Sequence, residues 1–134
     1  MQLQSGYTSR YQESQVLTVS REQLLLLTYD GILRFLGRAL RGLQQQDLYE
    51  KHLGLTKAES LIMELRRTLD FSASPELAHN LSRIYTYLVQ QLAAADVEDD
   101  ERRIRHAIDL VTELRSAWVE AARQLAAEAG GGER

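Results

Sequence analysis

The side chains that most often carry chemistry in small proteins are sparse in this chain of 134 residues. The sequence has no cysteine, which excludes disulfides and thiolate metal sites, and no serine in a G-x-S-x-G turn. Three histidines, His52, His79 and His106, lie on separate segments without a second ligand at helical spacing, and no glycine-rich phosphate loop is present. The pattern predicts no catalytic residues, no metal and no cofactor.

One dense group of carboxylates spans Glu98 to Glu101 and is followed directly by Arg102 and Arg103. Paired carboxylates are groups that acid–base catalysis can use. Beside arginines at the start of a helix, however, acidic side chains form exposed ion pairs and favour the positive end of the helix dipole. The group is therefore interpreted as a helix start, and the sequence disfavours an enzyme.

Charge and hydropathy exclude two further classes of function. The 19 acidic and 16 basic side chains give a net charge of −3 without a basic stripe, so no nucleic-acid partner is predicted. The longest leucine run, Leu24 to Leu27, is too short to cross a membrane or to form a signal segment. We therefore expect no membrane insertion and a cytoplasmic location, and the lack of cysteine suits a reducing compartment.

The elements that position these residues are predicted to be helices. The chain contains one proline, and its 23 leucines outnumber its 11 valines and isoleucines, a composition that favours helix over strand. Four amphipathic stripes separated by short joints predict an all-α fold, an antiparallel up-down four-helix bundle over residues 20–128. Residues 1–19 are predicted to be a flexible N-terminal arm, and residues 129–134 a disordered tail.

Further sequence features fix the helices more closely. Ser20 to Gln23 forms a capping box at the first helix, and Ser74-Pro75-Glu76 predicts a serine-capped start for the third. Asp96 is the predicted cap of the fourth helix. The second helix is clearest from residue 57 to 70, with an earlier start near Leu48 as the alternative. Gly31 lies on a second stripe of the first helix, where the missing side chain would let another chain approach closely.

Several side chains lie off the core faces of their helices and form a candidate binding surface. Asn80, Tyr87 and Gln91 follow the shoulder of the third helix, with Ile84 between them and the core, and Met63 and Leu110 also stand off their stripes. Wide apolar arcs can simply serve two neighbours in a bundle, or they can form a homodimer seam. The third interpretation is a groove that accepts an amphipathic helical or extended partner.

Motifs in a fixed order resemble the flagellin-specific export chaperone family FliS. The resemblance begins at Tyr11, seven residues before Thr18-Val19-Ser20, and covers roughly residues 7 to 122. It continues through Glu22-Gln23-Leu24, Leu26-Leu27-Thr28-Tyr29-Asp30-Gly31, Lys57-Ala58 with Ile62 and Glu64-Leu65, and Leu69-Asp70. The most specific stretch is Asn80-Leu81 with Ile84-Tyr85-Thr86-Tyr87-Leu88, followed by Ala95-Asp96 and Leu114-Arg115-Ser116-Ala117-Trp118.

The resemblance implies a bundle that binds the disordered C-terminal segment of flagellin in the cytoplasm. Such a chaperone prevents premature polymerisation and helps present its client to the flagellar type III export gate, a further expected partner. The N-terminal arm, with Tyr7 and Tyr11, is either a flexible tail or a segment that docks on the domain. On the family pattern, Tyr11 is a placeholder that the client displaces.

The expected client-binding residues are therefore Tyr11, Met63, Asn80, Ile84, Tyr87, Gln91 and Leu110. The alternative function is a self-associating structural or adaptor bundle with no flagellin client. As to oligomeric state, we expect a monomer or a weak homodimer.

Overall fold

A computed structural model describes residues 20–132 as four helices. They are α1 (Arg21–Gln44), α2 (Leu48–Arg67), α3 (Pro75–Glu98) and α4 (Glu101–Gly132). Helices α1 and α3 each pack against both α2 and α4, which is the arrangement of an antiparallel up-down bundle. The predicted fold class is confirmed. The predicted arm, with Tyr7 and Tyr11, lies outside the described residues.

The amphipathic stripes of all four helices meet in one core. Its fully buried members are Tyr29, Ile32, Leu36, Ala39, Leu55, Ala58, Ile62, Tyr85, Leu88, Leu92, Ala95, Ile104, Ala107 and Val111. These residues recur at spacings of three and four, so burying them removes one continuous apolar surface from water and drives the helices together.

The helix starts confirm one predicted cap and correct another. At Ser20 the capping box is complete, since Ser20 Oγ accepts from the Gln23 amide at 3.1 Å and Gln23 Oε1 accepts from the Ser20 amide at 3.2 Å. Helix α3 begins at Pro75 as predicted, but Ser74 makes no side-chain cap. Its backbone, at φ −148° and ψ 86°, lies away from the φ −67° and ψ 159° that Ser20 uses.

The prediction that Asp96 caps the fourth helix is wrong. Helix α3 continues to Glu98, and the chain reverses at Asp99, which adopts the left-handed conformation with φ 52°. Aspartate tolerates that conformation better than most residues do. Asp100 precedes α4 and accepts the Arg102 amide at 3.0 Å, so the acidic run supports a helix start that lies a few residues later than predicted. At its other end α4 reaches Gly132, four residues beyond the predicted bundle boundary at 128.

Glycines bring α1 and α2 together most closely near the α1–α2 turn. A Cβ added at Gly54 would lie 2.6 Å from the Phe35 carbonyl oxygen, and one at Gly42 would lie 2.7 Å from the Lys51 amide nitrogen. At Gly31, where close approach was predicted, the nearest atom is the flexible end of Leu61, at 3.2 Å. The backbone-to-backbone contact therefore lies at a different point of the same interface.

A buried lysine joins α2 to the α3–α4 turn at this same end of the bundle. Lys51 is 4% exposed, and its Nζ donates to the Asp96 carbonyl oxygen at 2.8 Å and pairs with Asp96 Oδ1 at 3.0 Å. Asp99 supplies a second carboxylate partner, and His52 Nδ1 lies 2.6 Å from Asp96 Oδ2. We call the end that contains Gly42, Lys51, Gly54, Asp96 and Asp99 the closed end.

Lys51 and Asp96 each favour the charged form of the other. Burial alone would lower the pKa of Lys51, but hydrogen bonds to Asp99 and Asp96 outweigh that effect and raise it. Burial would likewise raise the pKa of Asp96, yet the bonds from Lys51 and His52 leave it lowered. Lys51 and Asp96 therefore remain ionised through the neutral pH range.

Candidate functional site

Within residues 20–132, side chains do not fill the opposite end of the bundle. An open pocket of about 240 Å³ lies there and draws its lining from all four helices and from the α2–α3 connector. Its walls are Leu25, Leu65, Thr68, Leu69, Asp70, Ala73, Ser74, Leu77, Ala78, Leu81, Tyr85 and Trp118. We call this cavity the end pocket and the end that contains it the open end.

The local sequence explains why the core stops short here. Helix α2 ends at Arg67 and α3 begins at Pro75, so the core stripes of both helices stop here, and the connector that crosses the end contributes the small residues Ala73 and Ser74 to the pocket walls beside Leu69. Leu77, in the first turn of α3, remains 47% exposed. An apolar cavity of roughly 150 Å³ is already large enough to bind benzene. The end pocket can therefore hold one or two aliphatic side chains.

A hydrogen-bonded group of aromatic residues lies beside the pocket. Trp118 Nε1 donates to the Tyr29 hydroxyl at 2.8 Å, and the Tyr29 and Tyr85 hydroxyl oxygens are 2.7 Å apart. Burial raises the pKa of both tyrosines, so both hydroxyls keep their hydrogens at neutral pH. The group links α1, α3 and α4, and two of its members, Tyr85 and Trp118, line the pocket.

A second surface follows the seam between α3 and α4. The Tyr87 hydroxyl lies 2.8 Å from His106 Nε2, with the rings edge to face, and Arg103 donates to Gln91 Oε1 at 3.0 Å. Since the Gln91 carbonyl already has this partner, a hydrogen bond from Gln91 to a client backbone would need either the amide hydrogens or displacement of Arg103.

The remaining predicted residues of that seam lie where the periodicity places them. Ile84 on α3 and Leu110 on α4 are half-buried against the core, and Asn80 is exposed. We call the surface formed by Asn80, Ile84, Tyr87, Gln91 and Leu110 the α3–α4 strip.

Met63 belongs to a different surface from the other predicted residues. It is 42% exposed on α2, and three residues further along Arg66 donates to Thr86 on α3 at 3.2 Å. Thr86 and Tyr87 point about 100° apart around α3, so Met63 lies towards the α2–α3 side while Tyr87 lies towards α4. The predicted site residues are thus divided between two interhelical surfaces.

The pocket residues themselves were assigned to the core by the sequence pattern. Leu77, Tyr85 and Trp118 lie on apolar stripes, and nothing in their spacing distinguishes the filled middle of a bundle from its unfilled end. One feature of the sequence could have predicted the pocket. Leu77 lies in the first turn of the helix that begins at Pro75, so no earlier turn of that helix covers it.

The described residues contain no sign of metal or membrane chemistry. Over residues 20–132 no group of three or more histidine and carboxylate side chains could hold a metal ion. Within the same range no helix is both long and apolar enough to cross a bilayer. The geometry is that of a binding module, a helical bundle whose one open end and one lateral strip offer apolar contact.

Comparison with known proteins identifies which kind of binding module this is. The model of the family described as "Flagellar protein FliS" matches residues 3–125. The chain belongs to the FliS family.

Curated relatives cover most of the chain at about a third identity. A protein of Campylobacter jejuni named flagellar secretion chaperone FliS is 34% identical over 82% of this chain and 86% of its own length. Proteins of the same name from Bacillus subtilis and Escherichia coli are 31% and 33% identical over 90% and 81% of the chain, and over 89% and 80% of their own lengths. Membership of a family of secretion chaperones also confirms the prediction that the chain is not an enzyme.

Proposed function

We propose that this protein is a cytoplasmic export chaperone that binds the disordered C-terminal segment of flagellin in apolar interhelical grooves. The segment is thereby kept from polymerising early and is delivered to the flagellar type III export gate. The observation that carries the proposal is the end pocket, an apolar cavity of about 240 Å³ to which every helix of the bundle contributes. A filled bundle would have no use for such a cavity, whereas a chaperone needs a place for side chains that its client later buries elsewhere.

The pocket and the α3–α4 strip can serve one client because Leu77, a pocket residue, lies at the end of the strip. Leu77 lines the pocket, and it continues the line of Gln91, Ile84 and Asn80 towards the start of α3. From Leu77 to Gln91 the helix rises about 21 Å, the length of roughly 14 helical residues. An amphipathic segment laid along the strip would therefore reach the pocket at one of its ends. Met63 marks a second groove, on the α2–α3 side.

The free energy gained by burying client side chains is large enough to offset the cost of ordering the segment. Ordering a disordered segment costs about 2–5 kcal/mol of the gross interaction energy. Each aliphatic side chain that becomes fully buried returns about 1.5–3 kcal/mol. Two anchors in the pocket and two or three along the strip offset the ordering cost, and no covalent step or nucleotide is needed for release.

The proposal retains the arm as a competitor of the client. Tyr11 is the residue proposed to occupy part of the client surface until flagellin displaces it, as the family resemblance implies. The described chain begins at Ser20, the N-cap of α1, and α1 contributes Leu25 to the end pocket, so the point to which the arm is attached is close in sequence to a pocket residue.

Titration with a flagellin C-terminal peptide tests the proposal. The expected result is saturable one-to-one binding by the purified protein, together with co-purification of full-length flagellin at the same ratio. Absence of binding, combined with a mass that rises with protein concentration, would instead support the self-associating structural or adaptor bundle.

A further inference from the structure

The hydrogen-bonded aromatic group contains one more hydrogen than it can use. Trp118 Nε1, the Tyr29 hydroxyl and the Tyr85 hydroxyl bring three hydrogens to two oxygens. The indole hydrogen goes to Tyr29, and one hydroxyl hydrogen lies between the two oxygens. The other hydroxyl hydrogen has no acceptor among residues 20–132.

The surroundings of the two tyrosines determine which of them keeps the spare hydrogen. Tyr29 is fully buried and does not line the pocket, so a free hydrogen there would be enclosed in apolar core. Tyr85 is 1% exposed but lines the pocket, so a group that enters the pocket would lie beside this residue. A buried donor without a partner is costly, which favours the arrangement in which Tyr29 donates to Tyr85 and the Tyr85 hydrogen is directed to the pocket.

We propose that the Tyr85 hydroxyl donates a hydrogen bond to a neutral carbonyl oxygen of the bound segment, and that the end pocket thus selects a carbonyl flanked by apolar groups. The inference rests on the proposed function, because the segment is the flagellin C-terminal client. It adds to that function a polar anchor in a cavity whose other walls are mostly apolar.

The charge at the pocket argues for a neutral acceptor. Asp70 lines the pocket, and hydrogen bonds from the Ser72 side chain and backbone lower the pKa of its carboxyl, so it is negative at neutral pH. A carboxylate brought into the pocket would be repelled by Asp70 and would also lose its hydration. A backbone carbonyl, or the side-chain carbonyl of asparagine or glutamine, has neither disadvantage.

Two single substitutions that each remove one hydroxyl provide the test. Tyr85→Phe removes the pocket donor but leaves the Trp118–Tyr29 bond in place. Tyr29→Phe removes the acceptor of Trp118 but leaves the Tyr85 hydroxyl free to donate into the pocket. Each variant is measured by denaturant unfolding and by titration with the flagellin C-terminal peptide.

The two variants are expected to differ in peptide affinity rather than in stability. Both should lower the unfolding midpoint, since Tyr29→Phe leaves the indole N–H of Trp118 without its acceptor and Tyr85→Phe leaves the hydroxyl hydrogen of buried Tyr29 without one. Tyr85→Phe should weaken peptide binding about three- to tenfold, the range that one lost hydrogen bond produces, while Tyr29→Phe changes the affinity less than twofold.

The outcomes separate this inference from the proposed function. Wild-type binding with equal affinity losses in both variants, or with none in Tyr85→Phe, would overturn the inference and leave the chaperone function intact. Failure of the wild-type protein to bind the peptide would instead count against the proposed function.

Variants of the peptide identify the source of the carbonyl. If alanine in place of one asparagine or glutamine weakens wild-type binding but not binding by Tyr85→Phe, the acceptor is that side chain, since contacting partners give non-additive losses. If each substitution in the peptide weakens binding by the same factor for the wild-type protein and for Tyr85→Phe, the acceptor is a backbone carbonyl.

Discussion

The closed end and the open end of the bundle are built from the same four helices but differ in their packing and in their polar contacts. At the closed end, backbones touch at Gly42 and Gly54, and the buried Lys51 ties α2 to the α3–α4 turn. At the open end, the helices leave a cavity lined mostly by apolar side chains, with hydroxyl and indole groups and the carboxylate of Asp70 at its border. On the proposed function, stability and binding are separated along the axis of the molecule.

Such a separation has a physical logic. A group that holds helices together must lose its contacts only on unfolding, whereas a binding surface must gain and lose contacts while the rest stays folded. Substitutions at the closed end should therefore change the free energy of unfolding, and those at the open end should change client affinity.

The largest effect is expected from Gly54→Ala. The new methyl group would lie 2.6 Å from the Phe35 carbonyl oxygen and 2.8 Å from the Ala39 amide nitrogen, so the α1 and α2 backbones must separate. We expect a loss of about 3 kcal/mol in the free energy of unfolding, measured in urea. Gly37→Ala is the matched control, because its nearest atom is the flexible end of Arg41 at 3.4 Å. The control should be neutral or stabilising, and equal losses in both would refute the close-contact argument.

Replacing the buried lysine should have the next largest effect. Lys51→Met keeps the volume of the side chain but leaves Asp96 and Asp99 without their cation, and we expect a loss of about 2 kcal/mol in the free energy of unfolding. Lys57→Met, at an exposed lysine of the same helix, should change it by about 0.5 kcal/mol or less. The peptide affinity of folded Lys51→Met should be unchanged. A loss of affinity in that variant would show that the closed end takes part in binding.

A charge at the rim of the end pocket should weaken binding without unfolding the bundle. For Leu77→Asp we expect about a tenfold loss in peptide affinity, because a carboxylate would enter the apolar contact surface next to Asp70. Leu48→Asp is the control at the closed end, since Leu48 also lies in the first turn of its helix and is 52% exposed against 47% for Leu77. If both variants lose affinity equally, the client does not distinguish the two ends.

The lateral surfaces should contribute less than the pocket. We expect Tyr87→Ala to weaken peptide binding about fivefold and Met63→Glu about threefold, because both side chains are only about 40% exposed in the free protein and have limited area left to bury. Circular dichroism should show an unchanged helical content in both. Unchanged affinity in Tyr87→Ala would remove the α3–α4 strip from the site, and unchanged affinity in Met63→Glu would remove the α2–α3 groove.

Lowering the pH should destabilise the protein slightly, because it protonates Asp96 at the closed end. Since the pKa of Asp96 is lowered on folding, its stabilising effect is complete above the pKa of about 3.9 of an unfolded aspartate and is lost as the pH falls through the lower folded value. We expect this group to contribute less than ~1 kcal/mol, because solvent reaches part of the carboxyl. Unfolding midpoints from pH 5 to 2.5 should fall less steeply in Lys51→Met. Parallel curves would contradict the assignment.

The helices and their faces could be predicted from local sequence, because capping and periodicity depend on residues a few positions apart. The capping box at Ser20 and the start of α3 at Pro75 are examples. The end of α3 could not be placed in this way, because it depends on Asp99 adopting a left-handed conformation that Lys51, 48 residues earlier in the chain, helps to hold. The burial of Lys51 itself could have been predicted, because Lys51 lies seven residues before Ala58 on the buried face of the helix.

The site was less accessible to prediction than the fold. Tyr87, Ile84 and Leu110 were placed on one surface by periodicity alone, and the structure keeps them there. The end pocket depends on where α2 ends relative to the start of α3. The Tyr29–Tyr85 contact depends on how α1 and α3, which run parallel on opposite sides of the bundle, are aligned, and the two residues are 56 positions apart in the chain. Neither the pocket nor this contact can be predicted from the residue spacing within one segment.

The position of Trp118 gives the protein an optical reporter of its own. It is the only tryptophan in the chain, it lines the end pocket, and its indole nitrogen is held by Tyr29. A side chain that enters the pocket displaces solvent from the indole ring and so shifts its fluorescence to shorter wavelength. Occupancy of the open end can therefore be followed in the unlabelled protein, with the closed end contributing nothing to the signal.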